Sequence, residues 1–249
     1  MLVQVEYSDR GPAPGELECG GAPDSAAGEA LVHHGRHALN AVSAAAEKAR
    51  RAGDQQARLR LVIKPGGDAN LLSGILAAYA GRPDARQVDI LFGGATDRAD
   101  HVRDGRADVA LLYVPFDDVT GLDHETLMVE GRVAILPPDH PLASRSQVTL
   151  ADLAQETLPR WKGVRWTGAP EAGPGPEITN AAEALQMIRL GRTIAVLPRS
   201  LAQPMHPGLV YRPVTDAPNS ELVLAWSQDD RRRLIASFIT AAVDACGTT

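Results

Sequence analysis

The segment from Leu59 to Val114 reads LRLVIKPGGDANLLSGILAAYAGRPDARQVDILFGGATDRADHVRDGRADVALLYV. Short apolar runs bounded by Gly, Pro and polar residues predict strands, here at Leu59–Lys64, Gln87–Phe92 and Val109–Val114. Helices are predicted between them, over Asn70–Ala80 and from Thr96 to about Arg103. The order β-α-β-α-β implies a parallel sheet with right-handed crossovers, so the fold class is α/β.

The rest of the chain predicts a second α/β unit in series with the first. Its predicted strands are Thr126–Glu130, Arg132–Pro137, Glu177–Thr179, Thr193–Leu197, Gly208–Pro213 and Glu221–Trp226. A helix is predicted from Asn180 to Leu190, and a last amphipathic helix over Arg231–Cys246 is expected to return to the first unit. Two lobes with a ligand cleft between them follow from this arrangement.

The N-terminal part differs in character. Residues 1–26 are rich in Gly and Pro and predict an irregular segment, whereas residues 27–57 predict a linker helix. The apolar stripe of that helix is thin and rich in alanine, so it needs a partner, and we expect a dimer. Because residues 1–26 are few and rich in breakers, we place no helix-turn-helix in this chain.

Composition excludes several classes of protein. The 249 residues are 44% hydrophobic and 22% charged with a net charge of −6, which is ordinary for a globular protein and does not favour a nucleic-acid binder. The two cysteines imply no disulfide framework, and no export signal or membrane-spanning run is present, so we expect a cytoplasmic protein without membrane contact. The chain has no GxSxG, HExxH or phosphate-loop motif. We therefore predict no enzyme activity and no cofactor.

Five segments, in order along the chain, resemble the effector-binding domain of LysR-type transcriptional regulators. They are DGRADVA (Asp104–Ala110), ILPPDHPL (Ile135–Leu142), VTLADL (Val148–Leu153), GRTIAVLP (Gly191–Pro198) and ELVLAW (Glu221–Trp226). Each fragment alone is weak, but their order and spacing together are specific, and the resemblance covers about residues 27–246. Two departures are Arg192 after Gly191, and a Lys-Pro-Gly-Gly-Asp turn where the family has a turn rich in Ser and Thr.

The resemblance implies a type II periplasmic-binding-protein-like fold, with a linker helix and two Rossmann-like lobes joined by two crossing strands. Lobe I would comprise residues 58–140 and 228–249, and lobe II residues 141–227. The crossings would fall near Ile135–Pro141 and Leu222–Ser227. The resemblance also implies a small effector, often a carboxylate or other anion, between the lobes, and a homodimer or higher oligomer. DNA would be contacted only through a helix-turn-helix domain.

Candidate effector-binding residues lie where strands end and helices begin, because open α/β sheets bind ligands at strand carboxyl ends and helix N–H groups favour anions. They are Lys64, Pro65, Gly66, Gly67, Asp68, Ala95, Thr96, Tyr113, Pro115, Trp161, Thr179 and Asn180. A simple tight turn is the alternative interpretation of Gly66-Gly67 and of Gly93-Gly94, but their positions at strand carboxyl ends favour ligand binding. Asp68 is more typical of a helix cap than of a ligand contact, and Trp161 could stack on an effector or pack in the core.

Other functions stay open at this point. A stand-alone small-molecule-binding protein, or an enzyme on the same fold, fits the same elements. His33 and His37 have the i, i+4 spacing of metal ligands, but no third ligand is evident, so we predict no metal site.

Overall fold

The computed structural model describes residues 58–94, 97–162 and 175–247, and eight isolated positions between 28 and 46. Those eight positions are helical. Residues 1–26 and most of the predicted linker helix lie outside the described residues. All elements below belong to one compact unit, Leu39–Thr249.

The described elements follow the predicted order. The strands are β1 (Leu59–Ile63), β2 (Val88–Phe92), β3 (Val109–Val114), β4 (Leu122–Glu130), β5 (Arg132–Leu136), β6 (Arg160–Trp161), β7 (Glu177–Ile178), β8 (Ala195–Pro198), β9 (Val210–Val214) and β10 (Ser220–Ser227). The helices are α1 (Leu72–Ala80), α2 (Arg98–Arg103), α3 (Leu150–Leu153), α4 (Ala181–Arg189) and α5 (Arg233–Cys246).

The first sheet has the strand order β2-β1-β3-β10-β4. β1 pairs in parallel with β2 and β3, while β10 is antiparallel to β3 and β4. The predicted parallel sheet is therefore confirmed for its first three strands. α1 and α5 cover one face of it, where the rings of Tyr79 and Phe238 meet edge to face at 5.0 Å. α5 thus returns to the first unit, as its apolar stripe predicts.

The second sheet has the order β8-β5-β9 and is antiparallel, and β6 and β7 form a separate parallel pair. Two strands lie on a different sheet from the one expected. β5 belongs to the second sheet although the resemblance places residues 58–140 in lobe I, and β10 belongs to the first although the resemblance places residues 141–227 in lobe II. The chain crosses between sheets at Gly131 and over residues 215–219, not near Ile135–Pro141 and Leu222–Ser227.

The start of α1 also differs from the prediction. Ala69 and Asn70 adopt positive φ values of 51° and 62°, so the helix begins at Leu72 rather than at Asn70. Its N-cap position is Leu71, without a side-chain cap. The expectation that Asp68 caps this helix was therefore wrong, because two left-handed residues separate Asp68 from the first turn.

The helices α3 and α4 begin close to where the sequence predicts. Thr149 and Asp152 form a reciprocal capping box on α3, as predicted. On α4, the Asn180 side chain accepts a hydrogen bond from the backbone N–H of Glu183, but the Glu183 carboxylate accepts from Thr179 rather than from Asn180. The α4 box is therefore displaced by one residue from its predicted form.

Candidate functional site

The carboxyl ends of β1, β2 and β3 lie at one edge of the first sheet, because the three strands are parallel neighbours. This edge brings together the Lys64–Asp68 turn, Gly93 and Gly94, and Pro115, as the predicted site requires. Gly66 has a φ of +67°, and a Cβ on Gly67 would lie 2.9 Å from the Lys64 Cβ. Glycine is needed at both positions to form the turn, which brings backbone close to Lys64.

Lys64 connects this edge to the second half of the molecule. Its ammonium nitrogen lies 5.4 Å from the ring centroid of Trp161, which ends β6. Burial lowers the pKa of Lys64, the positive charge of Arg98 lowers it further, and Asp117 opposes both effects. Within the described ranges, no carboxylate lies within ion-pair distance of this ammonium. The cation is therefore held by an aromatic face, and its charge is not neutralised by a direct partner.

Arg98 and Asp117 form a buried ion pair behind Lys64. Arg98 Nη2 donates to both carboxylate oxygens of Asp117 at 2.6 and 2.7 Å, and both side chains are less than 5% exposed. Asp117 also accepts from the backbone N–H of Tyr113, and Arg98 donates to the carbonyl of Gly94. The pair therefore ties the ends of β2 and β3 together. The sequence pattern did not single it out, although both residues lie within six positions of the carboxyl end of a parallel strand.

Tyr113 connects the first sheet to the segment after β8. Its hydroxyl lies 2.7 Å from Ser200 Oγ, and Ser200 donates its backbone N–H and its hydroxyl to the Glu130 carboxylate at 2.7 and 2.6 Å. Because the Ser200 hydroxyl proton goes to Glu130, Tyr113 must be the donor to Ser200. Burial raises the pKa of Tyr113 well above its usual range, which keeps this donor protonated.

We expect Tyr113→Phe to lower the free energy of unfolding by about 0.5–1.5 kcal/mol, the typical net contribution of one hydrogen bond. The substitution removes the hydrogen bond to Ser200 and keeps the aromatic packing. Urea unfolding followed by circular dichroism measures the free energy of unfolding. Ser200→Ala serves as the comparison and should cost more, because it also removes the hydroxyl donor to Glu130. Equal stability of Tyr113→Phe and the unsubstituted protein would contradict the assignment.

The remaining predicted residues lie in different surroundings. Thr179 and Asn180 are exposed at the start of α4, where Thr179 donates its backbone N–H and hydroxyl to the Glu183 carboxylate. These hydrogen bonds lower the pKa of Glu183. The Glu183 carboxylate thus already accepts the hydrogen bonds that Thr179 could offer to an effector. A role in effector binding stays a prediction for Thr179 and Asn180. Ala95 and Thr96 lie outside the described residues, as do His33 and His37.

Metal-binding clusters and membrane-spanning helices are both absent from the part of the chain that the structure describes. No group of three His, Cys, Asp or Glu side chains there could hold a metal ion. No helix among the described residues is long and apolar enough to cross a bilayer.

Comparison with known protein families shows the family of this chain. The family model of the LysR substrate binding domain matches residues 52–247. The chain belongs to this family. It is thus the ligand-sensing regulatory domain of a LysR-type regulator, as the five sequence segments predicted.

Curated relatives are transcriptional regulators. The chain is 24% identical over 228 residues to the Hca operon transcriptional activator HcaR of Escherichia coli K12, covering 86% of this chain and 77% of that protein. It is 26% identical over 230 residues to the regulator AlsR of Bacillus subtilis 168, covering 86% and 76%.

Solved structures agree on the fold. The effector binding domain of BenM with its effector benzoate has a TM-score of 0.61 at 17% identity, covering 77% of this chain and 92% of that one. Full-length BenM has a TM-score of 0.63 at 16% identity, covering 90% and 78%. The predicted periplasmic-binding-protein-like fold is confirmed by this similarity.

Proposed function

We propose that this domain senses a small anionic effector, which binds between the two sheets against Lys64. The observation that carries the proposal is the Lys64 ammonium, held 5.4 Å over the Trp161 ring without a carboxylate partner in the described part of the chain. A partly buried cation of this kind gains from an opposite charge, and an anion supplies it. Benzoate, the effector of BenM, is itself a carboxylate.

The surrounding groups suit an anion that also has an apolar part. Trp161 is an apolar neighbour of Lys64, Gly66 exposes backbone near Lys64, and Arg98 adds positive charge that Asp117 largely offsets. Pro65, Asp68 and Pro115 complete the rim on the first sheet in this proposal, with Tyr113 beneath it. We further propose that the domain acts by binding alone, without turnover, in the cytoplasm, as a homodimer or higher oligomer. DNA would be contacted through a separate helix-turn-helix domain.

A ligand changes the output of such a domain only if it binds one arrangement of the sheets more tightly than another. Lys64 follows β1 of the first sheet, and Trp161 ends β6 in the second half of the chain. An effector bound beside this contact would touch both parts at once. Binding would therefore favour the arrangement in which the Lys64 and Trp161 side chains stay close.

We expect Lys64→Gln to weaken carboxylate binding at least tenfold, about 1.4 kcal/mol, because the cation is lost while the side-chain length is similar. A panel of small carboxylates is screened by thermal shift, and each hit is measured by isothermal titration calorimetry. Lys162→Gln is the control, since Lys162 is exposed and lies next to Trp161 in the chain. Lys64→Gln binding as tightly as the unsubstituted protein, or turnover of a hit, would exclude the proposal.

A pH titration adds an independent test. The anion prefers the protonated ammonium, so affinity should fall as pH rises through the pKa of Lys64, which lies below the ordinary lysine value of 10.5. The charged groups that face it are Arg98, which lowers the pKa, and Asp117, which raises it. Lys64→Arg keeps its charge throughout this range and should lose the pH dependence. An unchanged pH profile in Lys64→Arg would assign the titration to another group.

A further inference from the structure

Arg132 is a buried cation at the point where the chain passes from the first sheet to the second. It begins β5, directly after Gly131, and the residue is 2% exposed. Within β5 it pairs with Pro198 of β8 and Val214 of β9. Its guanidinium carbon lies 4.7 Å from the ring centroid of Phe116, which follows the carboxyl end of β3. Arg132 therefore lies at the same edge of the first sheet as Lys64.

The contacts of Arg132 hold its guanidinium but do not neutralise it. Nε donates to Ser220 Oγ at 3.2 Å, whereas Nη2 is buried and has no hydrogen-bond partner among the described residues. No described carboxylate lies within ion-pair distance of Arg132. Burial lowers the pKa of Arg132. Arg98, equally buried, has Asp117 as its counterion.

An unpaired buried arginine is costly, because a charge removed from water needs a counterion or a full set of hydrogen bonds. A planar guanidinium with an open Nη2 matches the oxygens of a carboxylate or phosphate. Phe116 and Ser220 hold the group in place and leave the buried Nη2 open to another partner. An oxyanion would meet both requirements.

We propose that Arg132 is a second anion-binding point of this domain, which takes a carboxylate or phosphate oxygen at Nη2. The link between Arg132 and the effector rests on the proposed function, whereas the existence of an anion site at Arg132 does not. Because Nη2 is buried, an anion reaches it after local opening at the crossing between the sheets.

The test uses inorganic phosphate as the probe and the full 249-residue chain. Calorimetric titrations at constant ionic strength are made in Lys64→Gln, so that phosphate at Lys64 does not contribute. We expect Lys64→Gln to retain phosphate binding, and the double variant Lys64→Gln/Arg132→Met to weaken it at least tenfold. Arg192→Met in the same background is the control, since Arg192 is exposed, and should change nothing. Equal phosphate affinity with and without Arg132→Met would overturn the proposal.

A second readout separates a ligand-binding role from a structural one. If Arg132 is held ready for an anion, Arg132→Met should raise the unfolding midpoint of the ligand-free protein, because an uncompensated charge is removed. Arg132→Met alone would leave the fully buried Ser220 hydroxyl without its hydrogen bond from Arg132, which could itself lower the midpoint. The double variant Arg132→Met/Ser220→Ala removes both groups and so avoids this cost. A lower midpoint in both variants would show a structural role and contradict the inference.

Two arms distinguish the source of the anion. Succinate and butyrate differ by one carboxylate at equal chain length, and each is added as a competitor of phosphate. Displacement by succinate alone indicates that Arg132 binds the second charged end of an effector. Displacement by neither indicates a separate inorganic anion site. Either result supports a site at Arg132, and failure of all carboxylates to bind Lys64 would exclude only the proposed function.

Discussion

Replacing Asp117 with alanine is expected to destabilise the protein by about 3–5 kcal/mol, the typical cost of removing one partner of a buried ion pair. The substitution leaves the Arg98 guanidinium, whose side chain is 4% exposed, without its counterion. It also removes the acceptor of the Tyr113 backbone N–H. Arg98 Nε already has no partner in the described residues, so the guanidinium has little else to bind.

Chemical unfolding in urea measures this loss, with the next residue as the matched control. Asp118 also pairs with an arginine, Arg103 at 3.2 Å, but its side chain is 69% exposed. Asp118→Ala should cost about 1 kcal/mol or less, as exposed pairs do. Arg98→Met/Asp117→Leu should recover most of the stability, because both charges then leave the core together. A cost below about 1 kcal/mol for Asp117→Ala would show that the pair is not buried as described.

The same substitution tests how the site is positioned. Arg98 and Asp117 hold the ends of β2 and β3 through Gly94 and Tyr113, and both lie close enough to Lys64 for their charges to shift its pKa. Loss of the pair should loosen both strand ends and weaken carboxylate binding, even though neither residue is proposed to contact the effector. Arg98→Met/Asp117→Leu should restore stability more fully than binding, because leucine cannot accept the Tyr113 N–H.

The local part of this fold was predictable from the sequence. β1, β2 and β3 are apolar runs that end at Gly or Pro, and their order fixes a parallel sheet with right-handed crossovers. The shared edge at Lys64 follows from that order without knowledge of any contact. Asn70 shows the limit of local reasoning. The apolar spacing of α1 suits a helix from Asn70 onward, but Asn adopts the left-handed conformation more readily than most residues.

The sequence could not predict that β5 belongs to the second sheet and β10 to the first, because the strands with which each one pairs lie far away along the chain. Arg132 of β5 pairs with Pro198 and Val214, and the sequence of β5 alone does not specify these partners. The Arg98–Asp117 pair and the isolated Arg132 depend on the same long-range arrangement. Charged residues that follow strand ends usually face solvent, so the sequence gives no sign that these are buried.

Asp108→Ala is expected to destabilise the protein by about 2–4 kcal/mol, because hydrogen bonds to charged groups contribute about 1.5–3 kcal/mol each. Its side chain is fully buried and accepts from the Arg60 backbone N–H and from Arg232 Nη2, both at 2.7 Å. These bonds join β1, the residue before β3 and the start of α5. Asp108→Ala leaves the Arg60 N–H without this acceptor, while Arg232 keeps Asp230.

A double-mutant cycle with Arg232→Ala separates the ion pair from the backbone contact. We expect a coupling of about 1 kcal/mol between Asp108 and Arg232, because Arg232 is 39% exposed and retains Asp230 as a partner. Most of the cost of Asp108→Ala then comes from the buried Arg60 contact. The matched cycle on Arg58 and Asp89, a 3.3 Å pair with side chains 51% and 34% exposed, should give a few tenths of a kcal/mol. Asp108→Asn should lose less than Asp108→Ala, since the amide oxygen still accepts from Arg60. If both substitutions cost the same, the ion pair with Arg232 and not the hydrogen bond from Arg60 would account for the cost.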